Sequence, residues 1–339
     1  MLGVMSTSRR VRSPRAVAAR PADSVSAHEP VMVSELLRLL DPQPGETVVD
    51  ATLGGGGTAA ALLQRILPGG RVLALDRDPA AVSRAAGRFA QYGAAFQARV
   101  ASFSQLELIA SEEAFRADVV VMDLGISSIQ LDDPGRGFSF QAEGPLDMRM
   151  NPHAGGLTAA DIVNQSSEDE LAGLLLRFGQ ERHSRAIARA LAAQRRQVPV
   201  TTTTQLAAAC AAAIPRRLWP PHIHPATRTF LALRIAVNDE LGELEAGISA
   251  AIQILRPGGR LGVVSFHSLE DTTAKRLLHT FAMNCVCPPP SPICTCAHRA
   301  SLRLPSRRAL RPTPAEIARN PRARSALLRT AVRLAPADP

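Results

Sequence analysis

The sequence predicts an open α/β fold, a parallel sheet covered on both faces by helices and interrupted late by a helical insert. Three observations carry this. Short apolar runs of strand length alternate with stretches of helical periodicity between His28 and Asp123. A glycine run from Gly54 to Gly57 joins the first strand to the helix after it. The alternation then stops over residues 134–237, which read as turns and helices, and resumes beyond them. A chain of 339 residues suits about two domains at roughly 150 residues each, enough to bury a core without disulfides.

Residues 1–26 carry Arg9, Arg10, Arg12, Arg15 and Arg20 among Ser, Ala and Pro, with Asp23 the one acid. That composition predicts a disordered basic arm. Residues 31–40 have apolar side chains at helical spacing and stop before Asp41-Pro42. After the Pro44-Gly45 turn, residues 47–50 read as a buried strand. Residues 58–67 read as a helix ending at Pro68-Gly69-Gly70, and 71–75 as a second strand closed by Asp76. Pro79 suits the first turn of a helix over 79–89. Strands follow over 96–100 and 118–122, the latter ending at Asp123. Beyond the insert, the reading is a helix over 240–255, a turn at Pro257-Gly258-Gly259, and a strand over 261–266. A helix over 268–281, a Pro- and Cys-rich loop, an Arg-rich segment and a last strand over 325–334 complete it.

Composition narrows the function classes. The hydrophobic fraction is 46% and the charged fraction 20%, near globular averages, which excludes wholesale disorder. No apolar run approaches the ~18 residues of a membrane-spanning helix. The net charge of +9 favours a polyanionic partner, nucleic acid above all. Lys275 is the sole lysine, so the Arg excess also fits a genome-composition bias. The start shows no apolar leader, which predicts a reducing, cytoplasmic setting and free thiols. Cys285, Cys287, Cys294 and Cys296 form C-x-C-x6-C-x-C. Four soft ligands suit zinc, although the usual pair is C-x2-C, and four reduced thiols is the competing reading.

The glycine run offers a ligand close backbone approach at a helix start with free N–H groups. Asp76 stands at the end of the next strand, where an acid accepts both hydroxyls of a ribose. Together they place a nucleoside cofactor over the first two strands. Gly54, Gly56 and Ala59 satisfy the dinucleotide fingerprint of dehydrogenases. Asp50, at the end of the first strand, equally suits an S-adenosylmethionine methyltransferase. These residues alone leave both open.

Longer strings decide between them. They are His28-Glu-Pro-Val, Asp123-Leu-Gly-Ile-Ser-Ser, Leu131-Asp-Asp-Pro-Gly-Arg-Gly-Phe-Ser-Phe140 and Gly144-Pro-Leu-Asp-Met-Arg-Met150. Further along stand His224-Pro-Ala-Thr-Arg-Thr-Phe230, Arg234-Ile-Ala-Val-Asn238, Ser265-Phe-His-Ser-Leu-Glu-Asp271 and Asn320-Pro-Arg-Ala-Arg-Ser325. In this order they resemble the 16S ribosomal RNA (cytosine-N4)-methyltransferase family, RsmH or MraW. The resemblance covers about residues 28–333.

It implies a Rossmann-like class I S-adenosylmethionine methyltransferase sheet with an inserted all-α domain. The methyltransferase domain would comprise residues 27–133 and 238–334, the insert 134–237, with 335–339 a tail. The implied reaction is methylation of N4 of a cytosine in the decoding centre of 16S rRNA in the small subunit, without membrane involvement. The implied cofactor contacts are Gly56, Gly57, Thr58, Asp76, Phe103, Asp123 and Gln130. Two departures stand out: Thr58 where the family's glycine loop usually ends in His, and Ile129 where Pro often precedes the Gln.

An exocyclic cytosine amine is a poor nucleophile and needs alignment and an acceptor for its developing charge. Asp123 is the candidate acceptor. His267, just past the fifth strand, is a second candidate, as proton acceptor or RNA contact, or else a helix-start residue. Arg136, Arg149, Arg228 and Arg234 are candidate RNA contacts, against the alternative of ion pairs within the insert. The competing functions are a non-catalytic RNA-binding assembly factor on the same fold and a nicotinamide dehydrogenase. A DNA amino-methyltransferase lacks support, because its Asn/Asp-Pro-Pro-Tyr/Phe signature is missing after the fourth strand.

Overall fold

The computed structural model describes residues 30–288 and 293–335. The basic arm over 1–26 lies outside the described residues, as do residues 336–339 of the tail. The chain opens with α1 (Val33–Leu40), β1 (Thr47–Asp50), α2 (Gly57–Ile66), β2 (Arg71–Asp76), α3 (Pro79–Arg88) and β3 (Phe96–Val100). Next come α4 (Leu106–Glu112), β4 (Ala117–Asp123) and the short α5 (Ser128–Asp132). Helices α6 (Ala159–Gln165), α7 (Glu168–Gly179), α8 (Ser184–Arg195), α9 (Thr203–Ala213) and α10 (Thr227–Asn238) follow without a strand. The sheet then resumes through α11 (Glu240–Ile254), β5 (Leu255–Ser265), α12 (Ser268–Phe281), β6 (Leu302–Arg303), α13 (Pro314–Arg319) and β7 (Leu327–Arg333).

The seven strands lie in the order β3-β2-β1-β4-β5-β7-β6. The first five pair in parallel, whereas β7 runs antiparallel to β5. This is the Rossmann-like class I methyltransferase arrangement. Period-two alternation sends Val49, Val120 and Met122 to one face and Val48, Val119 and Val121 to the other. Helices α4, α11 and α12 cover the first face and α1, α2 and α3 the second. Strands buried on both sides read as continuous apolar runs, which is why β1 and β4 were legible.

The helices between β4 and α11 bury their own cluster, centred on Leu171, Leu175, Ile187, Leu191, Leu206 and Leu233. Their starts follow sequence. Thr158, Ser167 and Thr202 each cap a helix, and Asp161, Glu170 and Gln205 return the bond three residues on.

The structure departs from the periodicity at several places. The fifth strand starts at Leu255, ahead of the expected turn. Leu255 pairs with Ala117, and pairing resumes at Arg260 opposite Val119, so the Pro-Gly-Gly turn survives as a bulge with Gly258 at φ +81°. Helices α4, α5 and α13 and the two-residue β6 were missed: each is too short for periodicity to register.

Candidate active site

The carboxyl ends of β1, β2, β4 and β5 meet at one edge of the sheet, where the strand order reverses between β1 and β4. Open α/β sheets hold ligands in that crevice. Here it is a cavity of about 630 Å³, floored by the glycine loop and the β4–α5 turn. Phe138, Phe140, Phe230 and Arg234 wall it on the helical side.

Of the predicted cofactor residues, Gly57, Thr58, Asp76, Phe103, Asp123 and Gln130 line this cavity. Gly56 does not line it. It sits behind the loop as the left-handed start of α2 at φ +76°, where a Cβ would lie 2.8 Å from the Phe89 ring. Gly57 is packed as closely, since a Cβ there would lie 2.8 Å from Pro30.

Asp76 organises the loop. Its Oδ2 accepts from the Gly54 N–H at 2.8 Å and its Oδ1 from the Asp78 N–H at 2.8 Å. Burial pushes its carboxyl above the ordinary range, opposed by those two N–H groups. Asp50 is pushed up to about 7 by burial, against the Thr52 N–H and with added repulsion from Asp76. Asp123 is pushed up to about 8 by burial, then by the charges of Asp50 and Glu270. Its backbone is pinned by an N–H donated to Thr52 Oγ1 at 2.6 Å, yet its Oδ1 is buried without a partner. An unpartnered buried acceptor is costly in a finished structure and natural in a site awaiting a ligand.

Gln130 is committed elsewhere in this cleft. Its Oε1 accepts from the Ser127 N–H at 3.0 Å and its Nε2 donates to Asp78 Oδ2 at 3.1 Å. Asp78 is a residue that sequence reasoning missed. It caps α3 and also accepts from Arg136 Nη1 at 2.7 Å. Burial works to raise its pKa, but Arg136, the Ala80 N–H and Gln130 outweigh it and hold it low. Asn238 was missed too. It accepts from the Met150 N–H, donates to Met148 and Arg234 carbonyls, and takes Arg77 Nη1 on its own carbonyl at 2.6 Å. Asp78 before Pro79 carries the local mark of a helix start, but the bonds that bring both residues to the cleft run to partners distant in sequence, which no local signal marks.

His267 lines the cavity as the N-cap of α12. Its Nδ1 accepts from the Glu270 N–H at 3.4 Å, and its Nε2 lies 3.0 Å from Glu270 Oε1. Burial works to raise Glu270, but His267, Arg234 and the Phe266 N–H outweigh it and keep it ionised. Arg234 grips Glu240 with two bonds of 2.7 and 2.8 Å and stands 3.9 Å from Glu270.

The four candidate RNA arginines part company. Arg136 is spent on Asp78 and the carbonyls of Arg149 and Met150, Arg149 on Asp147, and Arg234 on Glu240. Only Arg228 among the four makes no ion pair among the described residues, and it lies outside the cavity lining. Arg322 does line the cavity, beside Asp132 at 3.2 Å, and Arg303, Arg307, Arg308, Arg311 and Arg324 are exposed. The four cysteines lie apart from the cleft, on the loop after α12. No helix among the described residues is long and apolar enough to cross a membrane.

Comparison with known proteins agrees with the cleft. Curated relatives match nearly end to end. A Thermomicrobium roseum protein called ribosomal RNA small subunit methyltransferase H is 49% identical over 311 residues, covering 91% of this chain and 94% of its own. Proteins of the same name from Trichlorobacter lovleyi and Rhodospirillum centenum are 46% and 48% identical. They cover 91% and 92% of this chain and 98% and 93% of their own lengths. Residues 25–334 match the MraW methylase family as a whole, and with relatives this similar over this span the chain belongs to that family.

Proposed function

We propose that the chain methylates N4 of a cytosine in the decoding centre of 16S rRNA, with S-adenosylmethionine as donor and the small ribosomal subunit as partner. The relatives' shared name supports a small-subunit rRNA substrate, and the strings resembling the cytosine-N4 family support the target atom. One observation carries the chemistry: the buried, partnerless Asp123 Oδ1 in a cleft walled by the sheet edge and the helical region.

The cleft fits the donor. Its 630 Å³ lies within the roughly 300–1,000 Å³ of small-molecule sites. The glycine loop leaves backbone open to a ligand, and Asp76 keeps lone pairs for ribose hydroxyls beyond its two N–H bonds. When bound, S-adenosylmethionine supplies an electrophilic methyl group on a sulfonium. Asp123 accepts an N–H of the cytosine amine at Oδ1, which orients the nitrogen lone pair and stabilises the charge it gains. A cation placed beside Asp123 draws its pKa back down, so the carboxyl ionises as the site fills. His267 has both ring nitrogens facing Glu270, which favours positioning over proton transfer. Gln130 ties the β4–α5 turn to Asp78, and Arg136 ties Asp78 to the carbonyls of Arg149 and Met150. The exposed C-terminal arginines supply phosphate contacts.

The test is radiolabelled methyl transfer to unmodified small subunits, naked 16S RNA and a DNA control, read by nucleoside mass spectrometry. N4-methylcytidine in the ribosomal substrate alone is the expected result. No transfer together with no donor binding would leave the assembly-factor reading in its place. Within this scheme Asp76→Ala weakens donor binding about tenfold or more by calorimetry, the worth of a hydrogen bond to a charged group. An unchanged Kd would remove Asp76 from the ribose.

A further inference from the structure

The loop between α12 and β6 brings together four thiols that the cleft does not use. Cys285, Cys287, Cys294 and Cys296 each place a sulfur within 4.8 Å of the other three. The Cys294 and Cys296 sulfurs are 3.6 Å apart, and those of Cys285 and Cys296 are 3.8 Å apart. An ion holding four thiolates at about 2.3 Å in a tetrahedron sets sulfur–sulfur edges of about 3.8 Å. The thiols are free, so no disulfide explains the convergence. Nor does a hydrophobic core, because Cys285 and Cys294 are exposed and Val286 and Ile293 between them are 40% and 76% exposed.

Three backbone N–H groups also aim at these sulfurs. Val286 donates to Cys296, Cys287 to Cys285 and Thr295 to Cys287, each at 3.4 Å. Backbone donors of this kind orient metal-bound thiolates and offset their charge. We propose that Cys285, Cys287, Cys294 and Cys296 bind one Zn²⁺ as a closed, structural four-thiolate site. An iron–sulfur cluster fits less well, since thiolates on different irons stand farther apart than thiolates sharing one ion. The ion ties the two C-x-C arms across the loop. It thereby fixes how the chain leaves α12 and enters the segment with exposed Arg299 and Arg303. No methyl-transfer step involves it.

The experiment uses the full chain, purified under reducing conditions. Metal analysis is expected to find about one zinc per chain. The double variant Cys285→Ser/Cys294→Ser is expected to lose that zinc. Cys210→Ser, altered in the buried helical cluster, is expected to keep it. The stripped wild-type chain titrated with Co²⁺ gives a thiolate-to-cobalt charge-transfer band that saturates at one ion, and Zn²⁺ bleaches it. This second readout needs no variant to fold. Absence of the band, equal zinc in wild type and double variant, iron with sulfide in place of zinc, or a disulfide found by thiol titration would each overturn the assignment.

Discussion

Asp123→Asn is expected to lose methyl transfer on the order of 10²–10³-fold while making the folded chain more stable near neutral pH. The two effects have one cause. Burial and the neighbouring charges of Asp50 and Glu270 push the Asp123 carboxyl up to about 8. The unfolded carboxyl titrates near 3.8. Between those values the native chain holds a proton that the unfolded chain has released, so native stability falls as pH rises. The contribution is full below about 4 and lost as pH climbs through the folded value. Asparagine has nothing to ionise, so the variant escapes a loss that grows by roughly 1.4 kcal/mol per pH unit between those values. Denaturant titrations of both proteins from pH 5 to pH 9 read this directly. Parallel pH profiles would mean that Asp123 is ionised throughout, and retained activity would remove it from the chemistry.

Arg234→Met is the most damaging single change we expect in the cleft wall. Arg234 is mostly buried beside Glu240 and Glu270, and its guanidinium stays charged because those carboxylates outweigh the effect of burial. Removing it leaves two acids facing each other without a cation. Breaking a buried pair this way costs about 3–5 kcal/mol. Arg234→Lys recovers little, because a point charge cannot reproduce the two-pronged grip on Glu240. Part of the loss returns at low pH, where Glu270 takes up a proton. A midpoint shift under about 1 kcal/mol in urea would show the cluster to be solvated enough to need no arginine.

The sheet was legible because its strands are buried on both faces and its helices are punctuated by Pro and Gly. Asp50, Asp76 and Asp123 were legible for a related reason, as each is the polar residue that ends an apolar run. What stayed hidden is tertiary. Asp78 meets Gln130 and Arg136 across 52 and 58 residues, and nothing near it in sequence announces either partner. The fates of Arg136, Arg149 and Arg234 were hidden likewise, because a charge seeking phosphate and a charge already paired look the same in one dimension. The cysteine spacing misleads by departing from C-x2-C, yet folding the loop back brings the two arms together.

The run of helices between β4 and α11 also shapes how the chain is made. Strands β4 and β5 are neighbours in the sheet, and Asp123 pairs with Val264. On the order of 140 residues must therefore leave the ribosome before that seam closes, roughly 14 s at a mid-range rate of about 10 residues per second. Throughout that delay β4 has β1 on one side and an open edge of valines on the other. The nascent chain thus passes through a half-sheet with an unpaired apolar edge, an exposure set by topology.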